Sequence, residues 1–273
     1  MPIMDRLLQQ TAQEVQTRYY GKYQGLVVDN KDPDQMGRLK VNVPSLTGAT
    51  EMEWALPCFP FGGLTEQGFF AVPEVGSSVW VEFEAGDVSR PIWTGVFWRT
   101  SAEVPSEARL NEPTTRVLKT PSGHVLQFDD AKGSERFRLA HPAGGEMTVD
   151  AQGNVDLKDP NGAHFALDAA GKKVLMEDAN GNRIVMSSNG INLQDAFGNS
   201  MVTGASGLTL KAVTIDLQAS QVLLGQGASE PVPKGLSLMT LFCAHTHPTA
   251  MGPSGPPLPP MTAGQMSMFV MTA

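Results

Sequence analysis

Between residues 123 and 230, apolar residues recur in pairs at i and i+2, each pair fenced by a short turn sequence. The pairs are Phe137/Leu139, Met147/Val149, Val155/Leu157, Phe165/Leu167, Ile184/Met186, Ile191/Leu193, Leu208/Leu210, Ile215/Leu217 and Val222/Leu224. Between them stand AQGN, DPNG, DAAG, DANGN, SSNG, DAFGN and GASG. Side chains two apart share a face on a strand, whereas a helix groups residues three and four apart. The period is therefore that of strands, short and joined by tight turns, recurring roughly every 7 to 10 residues. The glycines of Asn-Gly and Asp-x-x-Gly supply the positive φ that such turns demand.

Each strand of this kind offers two or three apolar residues to one side. A lone ribbon of them leaves that side bare, and repeat architectures cover it by stacking neighbours. A single-chain solenoid uses longer coils, with several strands per turn. An antiparallel sandwich uses longer strands and a larger aromatic core, whereas aromatic residues are 7% of this chain. The pattern predicts an intertwined trimeric β-helix or β-prism over 123–235, with each chain supplying one wall. An inward Leu or Ile contributes about 1.5–3 kcal/mol on burial. Here burial requires the partners, so the expected homotrimer is obligate.

Upstream, LVVDN, GRLKVNVP, FFAVP, SSVWVEFE and PIWTGVFW alternate or run apolar within residues 19–100. DPDQMG, FGGLTEQG, EVG and AGDVSR separate them, which predicts a small closed barrel of about five strands. Residues 1–18 read as a short amphipathic helix or arm with Leu7, Leu8, Ala12 and Val15 near one face. Residues 101–122 are polar and Pro-containing, as expected of a linker. The fold class expected is all-β: barrel, linker, trimeric shaft, and an apex with a C-terminal tail at 236–273.

Lys and Arg number 20 against 28 Asp and Glu, a net charge of -8. No basic block is present, so nucleic acid is a poor partner. Cys58 and Cys243 read as two free thiols. The N-terminus has no apolar signal core and no run of 18 apolar residues occurs, so neither export by a signal peptide nor a membrane span is expected.

Two of the five histidines stand one residue apart, in CAHTHPTAMGPSGPP. On an extended segment His245 and His247 face one way. One chain then offers two imidazoles, a weak site, but a threefold axis offers six. Imidazole suits first-row metals, and six nitrogens lean towards iron because zinc usually takes four ligands. His124, His141 and His164 show no such pairing in sequence and read as surface positions. Cys243 is two residues before His245, where a thiolate could join the metal, but a small apolar position is preferred.

These segments resemble the central spikes of contractile phage tails, the baseplate assembly protein V group, and of related contractile injection systems. The barrel half carries the resemblance in DPDQMGRLKVNVP, MEWALPCFP and VPEVGSSVWVEFEAGDVSRPIWTGVFW. The resemblance implies an oligosaccharide/oligonucleotide-binding (OB) fold there. HTHPTAMGPSGPP resembles the apex motif, which implies one iron ion per trimer held by His245 and His247. Residues 101–122 are too short for the lysozyme domain that some members carry, so no muramidase activity is implied.

The expected function is mechanical: a baseplate spike that docks on a hub through the N-terminal arm and barrel. It punctures the target outer membrane on sheath contraction. A tip protein or cargo could meet the C-terminus. Localisation is expected in a virion or injection particle assembled in the producer's cytoplasm. The alternative is an OB binding module, for nucleic acid or carbohydrate, on a trimeric β-stalk, with Trp54, Trp80, Trp93 and Trp98 as platform. Glu51, Glu53, Glu82, Glu84 and Asp87 surround those tryptophans and repel phosphate, so they read as core or hub-facing. No catalytic residues are expected: six imidazoles leave a metal no open position, and G-x-S-x-G, P-loop and HExxH are absent.

Overall fold

The computed structural model describes residues 18–223, 226 and 235–262. The expected helix at 1–18, Arg18 apart, and residues 263–273 of the tail thus lie outside the described residues. Residues up to Lys211 form one compact unit and those from Ala212 a second.

The barrel is built from β1 (Tyr23–Asp29), β2 (Lys40–Asn42), β3 (Leu56–Pro57), β4 (Ser78–Phe83) and β5 (Pro91–Val96). Their order is β2-β1-β4-β5-β3, antiparallel except for the parallel pair β3 and β5. Leu39 and Ala55 exchange backbone hydrogen bonds of 3.1 and 2.8 Å just before β2 and β3, which joins the two ends of the order into a ring. The alternation of SSVWVEFE turns Val79, Val81 and Phe83 inward, where they meet Val27, Leu39, Val41, Val43 and Trp93. The Trp93 indole N–H donates to the Gly37 carbonyl at 3.1 Å, so this large ring is buried with its polar atom satisfied.

The DPDQMGR stretch is a loop organised by one carboxylate. Asp32 accepts from the backbone N–H groups of Asp34, Met36 and Arg38, and from the Arg38 side chain at 2.6 and 3.0 Å. The Arg38 guanidinium and these N–H groups hold the Asp32 carboxyl well below the usual carboxylate range.

The second sheet has eleven strands in simple sequence order, β6 (Thr115–Lys119) to β16 (Gly207–Lys211), each antiparallel to the next. It starts inside the span expected as a linker, because Thr115 to Lys119 pair residue for residue with Asp129 to Val125. It ends at Lys211. Expected strands at Ile215/Leu217 and Val222/Leu224 are absent: no strand lies between Lys211 and Pro248 among the described residues, and Leu224 is outside them. An alternating segment remains a strand only where a neighbouring edge satisfies its backbone.

The register stacks the predicted pairs into two columns on one face. Phe137, Val149, Val155, Leu167, Val174, Met186 and Ile191 follow one another across strands. Leu139, Met147, Leu157, Phe165, Met176, Ile184, Leu193, Met201 and Leu210 form the second column. The outer columns of the opposite face are largely polar, as in the series Glu146, Lys158, His164, Glu177 and Arg183. Only Val125, Gln127 and Ala140 are buried within the described strands of this sheet. The expected intertwining with other chains is a property of an assembly, and the single chain carries an uncovered face.

Repeated Asp-x-x-Gly turns pin the register. Asp150, Asp159, Asp178 and Asp195 each accept backbone N–H bonds from residues two and four ahead. The intervening Gly153, Gly162, Gly181 and Gly198 have φ of 79 to 101°, where a Cβ is strained. In three of these turns the next residue is Asn, whose amide closes back on the aspartate at 2.7 or 2.8 Å. Asn154 and Asn182 also accept from Ala169 and Ala196, joining consecutive hairpins on the same edge.

Hydrogen bonds from the Asn182 amide and backbone, with help from Asn180, lower the Asp178 carboxyl from 3.8 to about 2. Asp150, Asp159 and Asp195 are lowered too. Below pH 3.8 the unfolded chain takes up protons that the folded turns refuse, so stability falls as pH falls. Thermal melts should therefore be flat above about pH 5 and drop between pH 5 and 2. Asp178→Ala should lower the neutral melting point and flatten that drop.

Candidate functional site

Three features could carry function: the barrel surface, the bare columns and the histidine pair. In the barrel, Trp93 is core rather than platform. Trp54 is half-buried, with Arg38 and Lys40 each 5.7 Å from its ring centroid. Arg38 is committed to Asp32 and Asp34, so it brings no free positive charge to a phosphate. Trp80 stacks on Phe97 at 4.7 Å, and Trp98 is exposed.

The columns run uncovered along one face of the sheet. Leu139, Leu157, Met176, Met186, Leu193 and Leu210 are each 37–49% exposed. Monomeric proteins rarely expose a contiguous apolar patch of this extent, and such patches mark interfaces. Val174/Met176 was missed in sequence. Leu175, facing the other side, turned KVLME into an apolar run that hid the alternation.

His245 and His247 follow a helix, Gly235–Ala244, that the sequence reading did not anticipate. GLSLMTLFCA has no glycine or proline after its first residue and no charge, so nothing in it breaks a helix. His245 is not on an extended segment. Its N–H still bonds the Leu241 carbonyl at 3.1 Å, so it continues the last helical turn. His247 is held from both sides of its backbone by Ser254, at 2.8 and 2.7 Å. A two-strand hairpin, β17 (Pro248–Thr249) with β18 (Gly252–Pro253), brings Ser254 back to it.

The two rings are neighbours, with centroids 5.2 Å apart and planes at 86°. The His245 Nδ1 faces the Phe242 carbonyl. A carbonyl only accepts, so Nδ1 carries the proton and Nε2 keeps its lone pair. That is the tautomer a metal requires. Among the described residues no three His, Cys, Asp or Glu side chains gather as a metal site. One chain thus brings two imidazoles side by side, with no third such group beside them among the described residues. Cys243 is half-buried on the helix, its thiol donating to the Met261 carbonyl at 3.5 Å, away from a ligand role.

The other histidines are not all solitary. His124 and His141, 17 residues apart in sequence, meet edge to face with centroids 4.8 Å apart, because neighbouring hairpin turns bring them together. His164 pairs with Asp156 at 2.8 Å. Only the strand register reveals these neighbours.

Residues 23–98 match the family of the type VI secretion system/phage-baseplate injector OB domain. The pre-baseplate central spike protein Gp5 of Enterobacteria phage T4 is 33% identical over 70 residues, 26% of this chain and 12% of that protein. The type VI secretion system spike protein VgrG3 of Vibrio cholerae is 31% identical over 115 residues, covering 39% of this chain and 11% of its own. VgrG5 of Pseudomonas aeruginosa is 34% identical over 114 residues, 38% of this chain and 14% of its own. The chain therefore spans only about a tenth of the length of the curated relatives it matches. The ring of five strands described above lies within the matched segment.

Proposed function

We propose, with an injector OB domain of the spike family at residues 23–98 as premise, that this chain is one subunit of a homotrimeric spike. The spike stands at the centre of a contractile-tail baseplate or a related injection particle. It docks on a hub through the arm and barrel, and it pierces an outer membrane when a sheath contracts. The role is structural rather than enzymatic.

One observation carries this: nine consecutive strands, β8 to β16, align their apolar residues into columns that nothing in the described chain covers. Three copies meeting through those columns acquire an interior that none has alone. Hydrogen bonds along every antiparallel pair then stiffen the shaft. Acidic chains, each at -8, repel one another and stay soluble until the columns engage.

At the apex, His245 and His247 of three chains would hold one iron ion, which supplies coordinate bonds pinning three chains together. The chain's own part is to present Nε2 of His245 and to fix His247 through Ser254. A separate tip protein or cargo is placed at the same end. The OB binding-module alternative is not favoured, because Trp93 is core and Arg38 is neutralised.

Sedimentation equilibrium tests the assembly. The purified chain should sediment as a trimer of 29.2 kDa subunits down to low concentration. A compact folded monomer on dilution would refute the spike.

A further inference from the structure

The barrel carries two surfaces that leave large apolar side chains exposed beside its core. The first is a knob, the 59–70 loop between β3 and β4. Its neck is formed by Gly62 and Gly68, with φ of 141 and 158°. A Cβ on either would come within 3.3 or 3.4 Å of the other's Cα, so two glycines are what let the neck close. Phe69 N–H donates to the Phe61 carbonyl at 3.0 Å beside it, and Leu64 bridges Gln67 at the tip. The knob presents Phe61 at 62%, Leu64 at 74% and Phe70 at 66% exposure.

The second surface is a groove of about 650 Å³, where Val75, Val96, Phe97 and Trp98 stand beside the polar Arg99 and Glu103. Val75, Val96 and Trp98 are each more than half exposed. The knob cannot be a stable dock for a free protein. At about 200 Å² per large side chain, its three residues offer roughly 400 Å², and the groove roughly 350 Å². A self-sufficient interface needs about 800 Å² from each partner.

Neighbours already held together need far less. Trp98 in the groove directly precedes the segment that leaves the barrel. That segment is tied to the first strand of the long sheet by Glu107 on Lys119 at 2.8 Å. Chains joined through their sheets therefore keep their barrels close. Knob and groove are different patches of one barrel, so a contact between them is head-to-tail, and the threefold rotation of the trimer closes it as a ring.

We propose that the 59–70 loop of one chain seats in this groove on the next copy, closing a ring of three barrels. This rests on the homotrimer described above, and its test separates the two. The full chain carrying Leu64→Cys and Val96→Cys, with Cys58→Ser and Cys243→Ser, is treated with a short bismaleimide. Covalent trimers on a denaturing gel are expected, with none from either single cysteine variant.

A sedimenting trimer that gives only uncrosslinked or internally linked chains would overturn the ring and leave the trimer standing. A monomer would remove both. Independently, Leu64→Asp should leave the trimer intact but speed chymotryptic cleavage within the 59–70 loop by about tenfold, as a local contact worth about 2.3 RT is lost. An unchanged cleavage rate would overturn the seat.

Discussion

Leu157→Asp should convert the trimer to monomers. In the single chain Leu157 is 49% exposed and flanked by Met147 and Phe165 in its column. A carboxylate there stays hydrated in the subunit and costs it about 0.5 kcal/mol or less. In the proposed trimer the same position is covered, and each buried, unpaired carboxylate costs several kcal/mol. At about 3 kcal/mol for each of three chains, association weakens by about six orders of magnitude. Ser200→Asp is the control: on the opposite face, between Gln194 and Lys211, it should leave the trimer in place. Sedimentation velocity on both variants reads the difference. If Leu157→Asp still sediments as a trimer, the columns are not the seam.

Replacing His245 and His247 together with Ala should abolish the bound metal. Elemental analysis of the purified chain should give about one iron per three chains, since imidazole nitrogens suit first-row metals and six of them fill the coordination sphere. The double variant should give none. The eleven-strand sheet ends at Lys211, 34 residues before His245, so its circular dichroism should be unchanged. Single variants halve the ligand set and should bind weakly. Metal retained by the double variant would place it elsewhere, and a metal-free wild type would remove the apex ion.

Much of the long sheet was legible because its code is local. Phe165 and Leu167 share a face by the pleat alone, and four Asp-x-x-Gly turns fix where strands reverse. The barrel was legible for the same reason in SSVWVEFE, whose inward members are the core. The helix at Gly235–Ala244 was not legible, because GLSLMTLFCA has neither a clear polar face nor a capping signal to set it apart from an apolar strand. His124 beside His141 was also hidden, since their contact depends on which hairpin turns are neighbours.

The sequence by itself determined strand period, turn positions, the pairing of apolar residues, and the two imidazoles at the end. These are set by contacts within a few residues and by the stereochemistry of glycine. The tertiary structure decided the rest. It aligned the pairs into two columns, closed the barrel through Leu39 and Ala55, placed His245 on a helix end, and left the columns without a cover. Those outcomes depend on which distant backbone groups satisfy one another, and that is a property of the folded chain rather than of any short stretch of it.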